Sequence, residues 1–183
     1  MDEKTFLAAV KFAADRGEYV AIGGGEPTIH PKFWQFLGIA LGECEYVWLA
    51  TNGKETRTAL ALAGLAKGSE RLSVALSQDD WHEPINPIVV DAFRKAGLEL
   101  RNVGKNDSPM AQGRAKTWGR EGCVCSTMIV RPDGAIKPCG CTSSPVIGDV
   151  FNHIRLGYLN ILESDEFRDS ECWTSYKKKG CKP

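Results

Sequence analysis

Across its first 122 residues this chain has a single cysteine, Cys44, and nowhere does it have an apolar run approaching the roughly 18 residues that cross a bilayer. The missing run excludes a transmembrane helix. An excess of one charge is missing too. Lys and Arg number 23, as do Asp and Glu, so net charge selects neither nucleic acid nor an anionic membrane as a partner. The basic end KKKGCKP is expected to be a solvated terminus. The first residues, MDEKTFLAAVKFAADRGEY, have amphipathic helical spacing without the h-region of a signal peptide, and the expected compartment is the cytoplasm. No internal repeat and no low-complexity segment interrupts the chain.

What remains is a chain of 183 residues, 43% hydrophobic, enough for one sizeable domain or one domain with a small appendage. Up to Gly104 helix and strand signals alternate. A helix over 3–15 precedes the strand YVAIG, and a helix over 32–41 precedes YVWLATNG. A helix over 55–66 leads to RLSVALSQD, and a helix over 87–96 leads to LELRNVG. Strands that are near-continuous apolar runs, separated by single helices, predict an α/β fold with a mostly parallel sheet covered by helices.

Residues 105–122 are polar and glycine-containing with no apolar period, which predicts a linker between a core of 1–104 and a Cys-rich region of 123–183. In that region CVCSTMIVRPDGAIKPCGC predicts a β-hairpin turning at Pro132-Asp133-Gly134, followed by loops and a helix over 160–168.

Three consecutive glycines, Gly23, Gly24 and Gly25, fall at the carboxyl end of the first strand, where parallel α/β sheets bind ligands. Without Cβ atoms the backbone can present bare amides and carbonyls at hydrogen-bonding distance. Glu26 adds a carboxylate, which favours an ammonium over a phosphate. Neither G-x-G-x-x-G nor a P-loop matches the spacing. The plainer alternative is a tight strand-to-helix turn. Against it, the next strands also end in polar residues, Thr51 and Asn52, then Ser77, Asp79 and His82, and together these predict a pocket rim.

The order GGGEPTIHPKF, LATNG, VALSQDDWHEPI resembles the core of the radical S-adenosylmethionine (radical SAM) enzymes, over residues 1–104. The resemblance implies an incomplete (βα) barrel and an S-adenosylmethionine site. Gly23, Gly24, Gly25, Glu26 and Pro27 are the motif that would hold the cofactor's amino group, with Asn52 on the rim and Ser77 and Asp79 toward its carboxylate and ribose. The family's C-x-x-x-C-x-x-C loop, which binds the radical-generating [4Fe-4S] cluster, is absent from this sequence. The expectation is a truncated core that lacks the first strand, has no catalytic residue of its own, and depends on a partner for radical chemistry. The strand at 19–23 would then be an unpaired apolar edge, covered by a protein partner or a second copy.

Six of the seven cysteines, Cys123, Cys125, Cys139, Cys141, Cys172 and Cys181, lie beyond the linker. In a reducing compartment such clustering points to metal more than to disulfides. Counting outward from the turn, Arg131 faces Ala135, Val130 faces Ile136 and Cys125 faces Cys141, so both C-x-C pairs share one face of the hairpin. Extended C-x-C thiols lie about 6.6 Å apart along a strand. Tetrahedral zinc, with Zn–S bonds of about 2.3 Å, needs sulfurs closer than that, so an iron–sulfur cube fits more easily and zinc is the alternative metal. Reduced core cysteines and a Cys125–Cys141 disulfide are the other options.

PMAQGRA followed by CSTMIVRPDGAIKPC also resembles the auxiliary-cluster extensions of peptide-modifying radical enzymes, called SPASM or twitch domains. Cys125, Gly134 and Cys139 match the opening, and IGDVFNHI resembles its continuation. The resemblance implies one auxiliary [4Fe-4S] cluster, completed by Cys172 and Cys181, with Cys123 and Cys141 as competitors. A peptide or small molecule would be the substrate. Trp34, Trp48 and the phenylalanines at helical or strand spacing are expected in the core, Cys44 as a small buried residue, and His82 alone of the histidines near the pocket. The competing functional reading is a non-catalytic, metal-stabilised module that binds a partner.

Overall fold

The computed structural model describes residues 1–16, 19–79, 83–103, 128–138, 140, 144 and 146–154. Two compact units divide the chain, one of Val10–Ser108 and one in which Met1–Ala9 groups with Pro109–Pro183. The linker segment, His82, the segment expected to form a helix over 160–168 and all six clustered cysteines lie outside the described residues.

Helix α1 (Glu3–Ala14) starts because the Asp2 carboxylate accepts from the Thr5 N–H at 2.7 Å, satisfying one of the donors that a helix start leaves open. That bond holds the Asp2 carboxyl below its usual range.

Four parallel strands run β1 (Tyr19–Ile22), β2 (Tyr46–Thr51), β3 (Leu72–Asp79) and β4 (Glu99–Val103), in that spatial order. Between them lie α2 (Phe33–Glu43), α3 (Thr56–Lys67) and α4 (Pro87–Lys95). Each strand thus pairs with its successor through one helix. Because such crossovers are right-handed, a sheet wound in one direction carries its three connecting helices on one face. The burial pattern agrees. Val47, Leu49 and Thr51 of β2 and Leu72, Val74 and Leu76 of β3 are buried and in register, whereas Tyr46, Trp48 and Ala50 on the other face are half-buried. Each fully buried Leu or Val contributes about 1.5–3 kcal/mol.

The same winding brings the carboxyl ends of β1, β2 and β3 to one edge of the sheet. Among the described residues β1 ends the sheet, pairing only with β2, and none of its four residues is fully buried. Arg71, just before β3, fixes the far end of α2. Its Nη2 donates to the carbonyls of Leu41 at 2.6 Å and Cys44 at 2.7 Å, and its Nε to that of Glu45 at 3.1 Å. A cation there satisfies the unpaired carbonyls and faces the negative end of the helix dipole.

Helix α2 departs from expectation at one residue. Trp34 is 47% exposed, because the buried stripe runs Phe33, Phe36, Leu37, Ala40 and position 34 lies off that face. Trp48 is only half-buried, and Phe151 is exposed. Phe6, Phe12, Phe33, Phe36 and Phe93 are buried as expected, as is Cys44.

In the other unit, β5 (Ile129–Val130), β6 (Ala135–Lys137), β7 (Gly148–Asp149) and β8 (His153–Ile154) form an antiparallel sheet in sequence order. The turn is Pro132-Asp133-Gly134, with Gly134 at φ +88° and Val130 opposite Ile136, as the hairpin count predicts. The Arg131 N–H donates to the Ala135 carbonyl at 2.8 Å. The stretch expected as loops contains β7 and β8, a correction. Two-residue strands leave no periodicity to read. Asp149 builds their connection, its Oδ1 accepting from the N–H groups of Phe151 and Asn152, both at 2.9 Å.

Candidate functional site

Four residues follow β1 without a helix or strand, Gly23, Gly24, Gly25 and Glu26, and then a single 3₁₀ turn, Pro27–Ile29. Gly24 has φ +119°, a conformation that side chains rarely adopt. Gly23 and Gly25 have no positive φ. At all three positions an added Cβ would meet nothing within 4 Å among the described residues. Their bareness therefore serves no packing described within the chain. The three glycines are exposed, forming a strip of open backbone at the carboxyl edge of the sheet, the edge where parallel α/β sheets bind ligands.

Glu26 sits where that strip meets the 3₁₀ turn, half-buried. Its Oε1 accepts from the Thr28 N–H at 3.1 Å, the Thr28 hydroxyl at 2.6 Å and the Thr51 hydroxyl at 2.8 Å. Its Oε2 accepts from the Asn52 N–H at 2.7 Å. The carboxylate therefore ties the end of β1 to the end of β2. This modifies the picture of a carboxylate reserved for a ligand, since four protein donors already use it. A carboxylate offers about four acceptor directions, and three donors converge on Oε1, so among the described residues Oε2 keeps one direction free.

Asn52 contributes twice. Its backbone N–H anchors Glu26, and its Oδ1 accepts from the Lys54 N–H at 3.0 Å, which shapes the turn after β2. Gly53 closes that turn at φ +68°, its N–H donating to the Thr51 hydroxyl at 3.1 Å. Ser77 is half-buried near the carboxyl end of β3, paired with Arg101, and Asp79 is the strand's last residue. Pro27 begins the 3₁₀ turn.

The parallel topology thus brings the ends of β1, β2 and β3 to one edge, and hydrogen bonds join Glu26 directly to the end of β2. Thr28 and Gly53 are the contributors that sequence reasoning missed. A glutamate followed two residues later by a threonine is a side-chain cap signal, which is the pattern that could have found Thr28. His30, outside the network, stacks on Phe36 with ring centroids 4.7 Å apart, and its Nδ1 accepts from the Lys32 N–H at 3.1 Å.

Among the described residues no group of three or more His, Cys, Asp or Glu side chains is arranged to hold a metal ion. No helix among them is long and apolar enough to cross a membrane.

No protein-family model matches the chain. A stretch of 97 residues is 39% identical to mycofactocin maturase MftC of Mycobacterium ulcerans, covering 53% of this chain and 25% of that protein. Mycofactocin maturase MftC of Mycolicibacterium smegmatis is 31% identical over 98 residues, 51% of this chain and 24% of that protein. That of Mycobacterium tuberculosis is 34% identical over 79 residues, 43% and 19% respectively. The chain spans about a quarter or less of the length of these curated relatives. The similarity supports a place in the radical SAM superfamily.

Proposed function

We propose that the strand-end site is an S-adenosylmethionine-type pocket of a radical SAM-like iron–sulfur protein, related to peptide-modifying maturases. The observation that carries this reading is the exposed backbone of Gly23–Gly25, where an added Cβ would meet nothing within 4 Å among the described residues, next in sequence to a carboxylate that keeps one acceptor direction free among them. An ammonium fits there. It would donate to Oε2 and to bare carbonyls, whereas a phosphate would meet Glu26's negative charge. Asn52, Ser77 and Asp79 would line the rim toward the rest of the cofactor. S-adenosylmethionine, when bound beside a reduced iron–sulfur cluster, supplies a radical, and this chain's residues bind and orient it.

The auxiliary [4Fe-4S] cluster on Cys125, Cys139, Cys172 and Cys181, with Cys123 and Cys141 as competing ligands, belongs to the same proposal, as do a peptide substrate and a dependence on a cluster-bearing partner. The maturase names of the relatives favour a peptide over a small molecule. The outer edge of β1 is where we place a partner strand, since an apolar strand that is paired on one side only among the described residues is open to further pairing.

Titration calorimetry of the anaerobically purified chain with S-adenosylmethionine tests the pocket. Saturable heat near one ligand per chain is expected, and a flat titration would overturn the reading. Iron and sulfide analysis of the same sample tests the auxiliary cluster. About four of each per chain is expected, and stoichiometric zinc without iron would overturn that part.

A further inference from the structure

We infer that the buried hydroxyls of Thr28 and Thr51 are positioning groups that aim the Glu26 carboxylate, so that Oε2 alone is turned toward a cationic ligand. This rests on the pocket reading above and goes further, because it assigns a ligand-directed task to two residues that touch no ligand.

The distribution of donors carries the inference. Oε1 receives three, two of them hydroxyls at 2.6 and 2.8 Å, and Oε2 receives one. Bonds this short to a carboxylate are charge-assisted and about twice as strong as neutral ones. The hydroxyls arrive from different elements, Thr28 from the 3₁₀ turn after β1 and Thr51 from the end of β2. Rotation of the carboxylate about its last bond would break both. Thr28 is 7% exposed and Thr51 2%, so water does not compete for either bond.

Tying β1 to β2 would not by itself need two hydroxyls. The Asn52 N–H already makes that link through Oε2. The added hydroxyls load the other oxygen, which leaves the carboxylate asymmetric. One oxygen is saturated by protein, and the other, among the described residues, keeps an acceptor direction.

Threonine separates the two roles chemically, because its methyl fills buried space and its hydroxyl makes the bond. Thr51→Val keeps the shape and removes the hydroxyl, while Thr51→Ser keeps the hydroxyl and removes the methyl. Thr28→Val and Thr28→Ser repeat the pair at a second position, so a folding failure at one leaves the other. The experiment titrates S-adenosylmethionine into the whole chain and all four variants, and records each thermal midpoint. Binding should follow the hydroxyl. The valine variants are expected to weaken binding about tenfold or more, the scale of one charge-assisted bond, with the serine variants within about threefold of the unaltered chain. The midpoints are expected to fall in both sets, in the valine variants from the lost bond to the carboxylate and in the serine variants from the lost buried methyl. Valine variants that bind like the unaltered chain would overturn the inference and leave the pocket standing. Binding that falls in step with the midpoint, in serine as in valine, would reduce both threonines to packing. An unaltered chain that does not bind would remove the pocket reading and this inference together.

Discussion

Gly53 lies so close to Leu76 that a Cβ added to it would stand 2.6 Å from the leucine Cδ1. Ile85 and Val89 would be 3.2 and 3.3 Å away, and the residue's φ is +68°. The turn after β2 is therefore packed into the layer between β3 and α4. Gly53→Ala combines left-handed strain of about 1–2 kcal/mol with overpacking of about 1–3 kcal/mol. Urea unfolding is expected to show a loss of about 2–4 kcal/mol. A change below about 0.5 kcal/mol, the range of an ordinary surface substitution, would contradict this packing.

The glycines after β1 are expected to behave in the opposite way. Gly23→Ala and Gly25→Ala should leave stability within about 0.5 kcal/mol, because each added methyl meets open space and neither φ is positive. Gly24→Ala should lose about 1–2 kcal/mol from its φ of +119° alone. Equal losses at all three positions would mean that the strip is held by contacts of its own.

Arg71 makes three donations to carbonyls at the end of α2 and the start of β2. The side chain is largely exposed, which reduces the worth of each bond through competition with water. Arg71→Met is expected to cost about 1–2 kcal/mol, with Arg71→Lys intermediate, since a lysine cannot span the three carbonyls with a fork. Chemical denaturation of the two variants checks the order. A lysine variant as stable as arginine would show that charge alone matters.

Burial pushes the Cys44 thiol above its ordinary value of 9.0, and Glu43 pushes it the same way while Arg71 opposes. The folded state thus holds this proton more tightly than the unfolded state. Below pH 9 both states keep it, and its contribution is fully present. As pH rises above 9 the unfolded thiol ionises first and that contribution is lost. Unfolding free energies of the unaltered chain and Cys44→Ala, measured between pH 8 and pH 10.5, should therefore converge or cross as pH rises. A constant difference would mean that the thiol is not perturbed.

The eight long elements of the first hundred residues were legible because each has a clear period, and their ends fall within about two residues of expectation. The Pro132-Asp133-Gly134 hairpin was legible because one turn fixes its register. The position of the glycine turn at the carboxyl edge of the sheet followed from strand order alone. What sequence could not show was the use of Glu26. Its partners Thr51 and Asn52 belong to the next strand, and only the parallel pairing of β1 with β2 brings them to it. Local spacing carries no record of such a contact. Trp34 was misjudged for a simpler reason, since an aromatic beside a buried phenylalanine on a helix lies about 100° from it.

One measurement bears on the central claim most directly. Titration calorimetry with S-adenosylmethionine is run on the unaltered chain and on Gly25→Val, which fills the open strip next to Glu26. The account predicts saturable binding by the unaltered chain and a loss of about tenfold or more in the variant, with the thermal midpoint little changed. No binding by the unaltered chain, or equal binding by both, would contradict it.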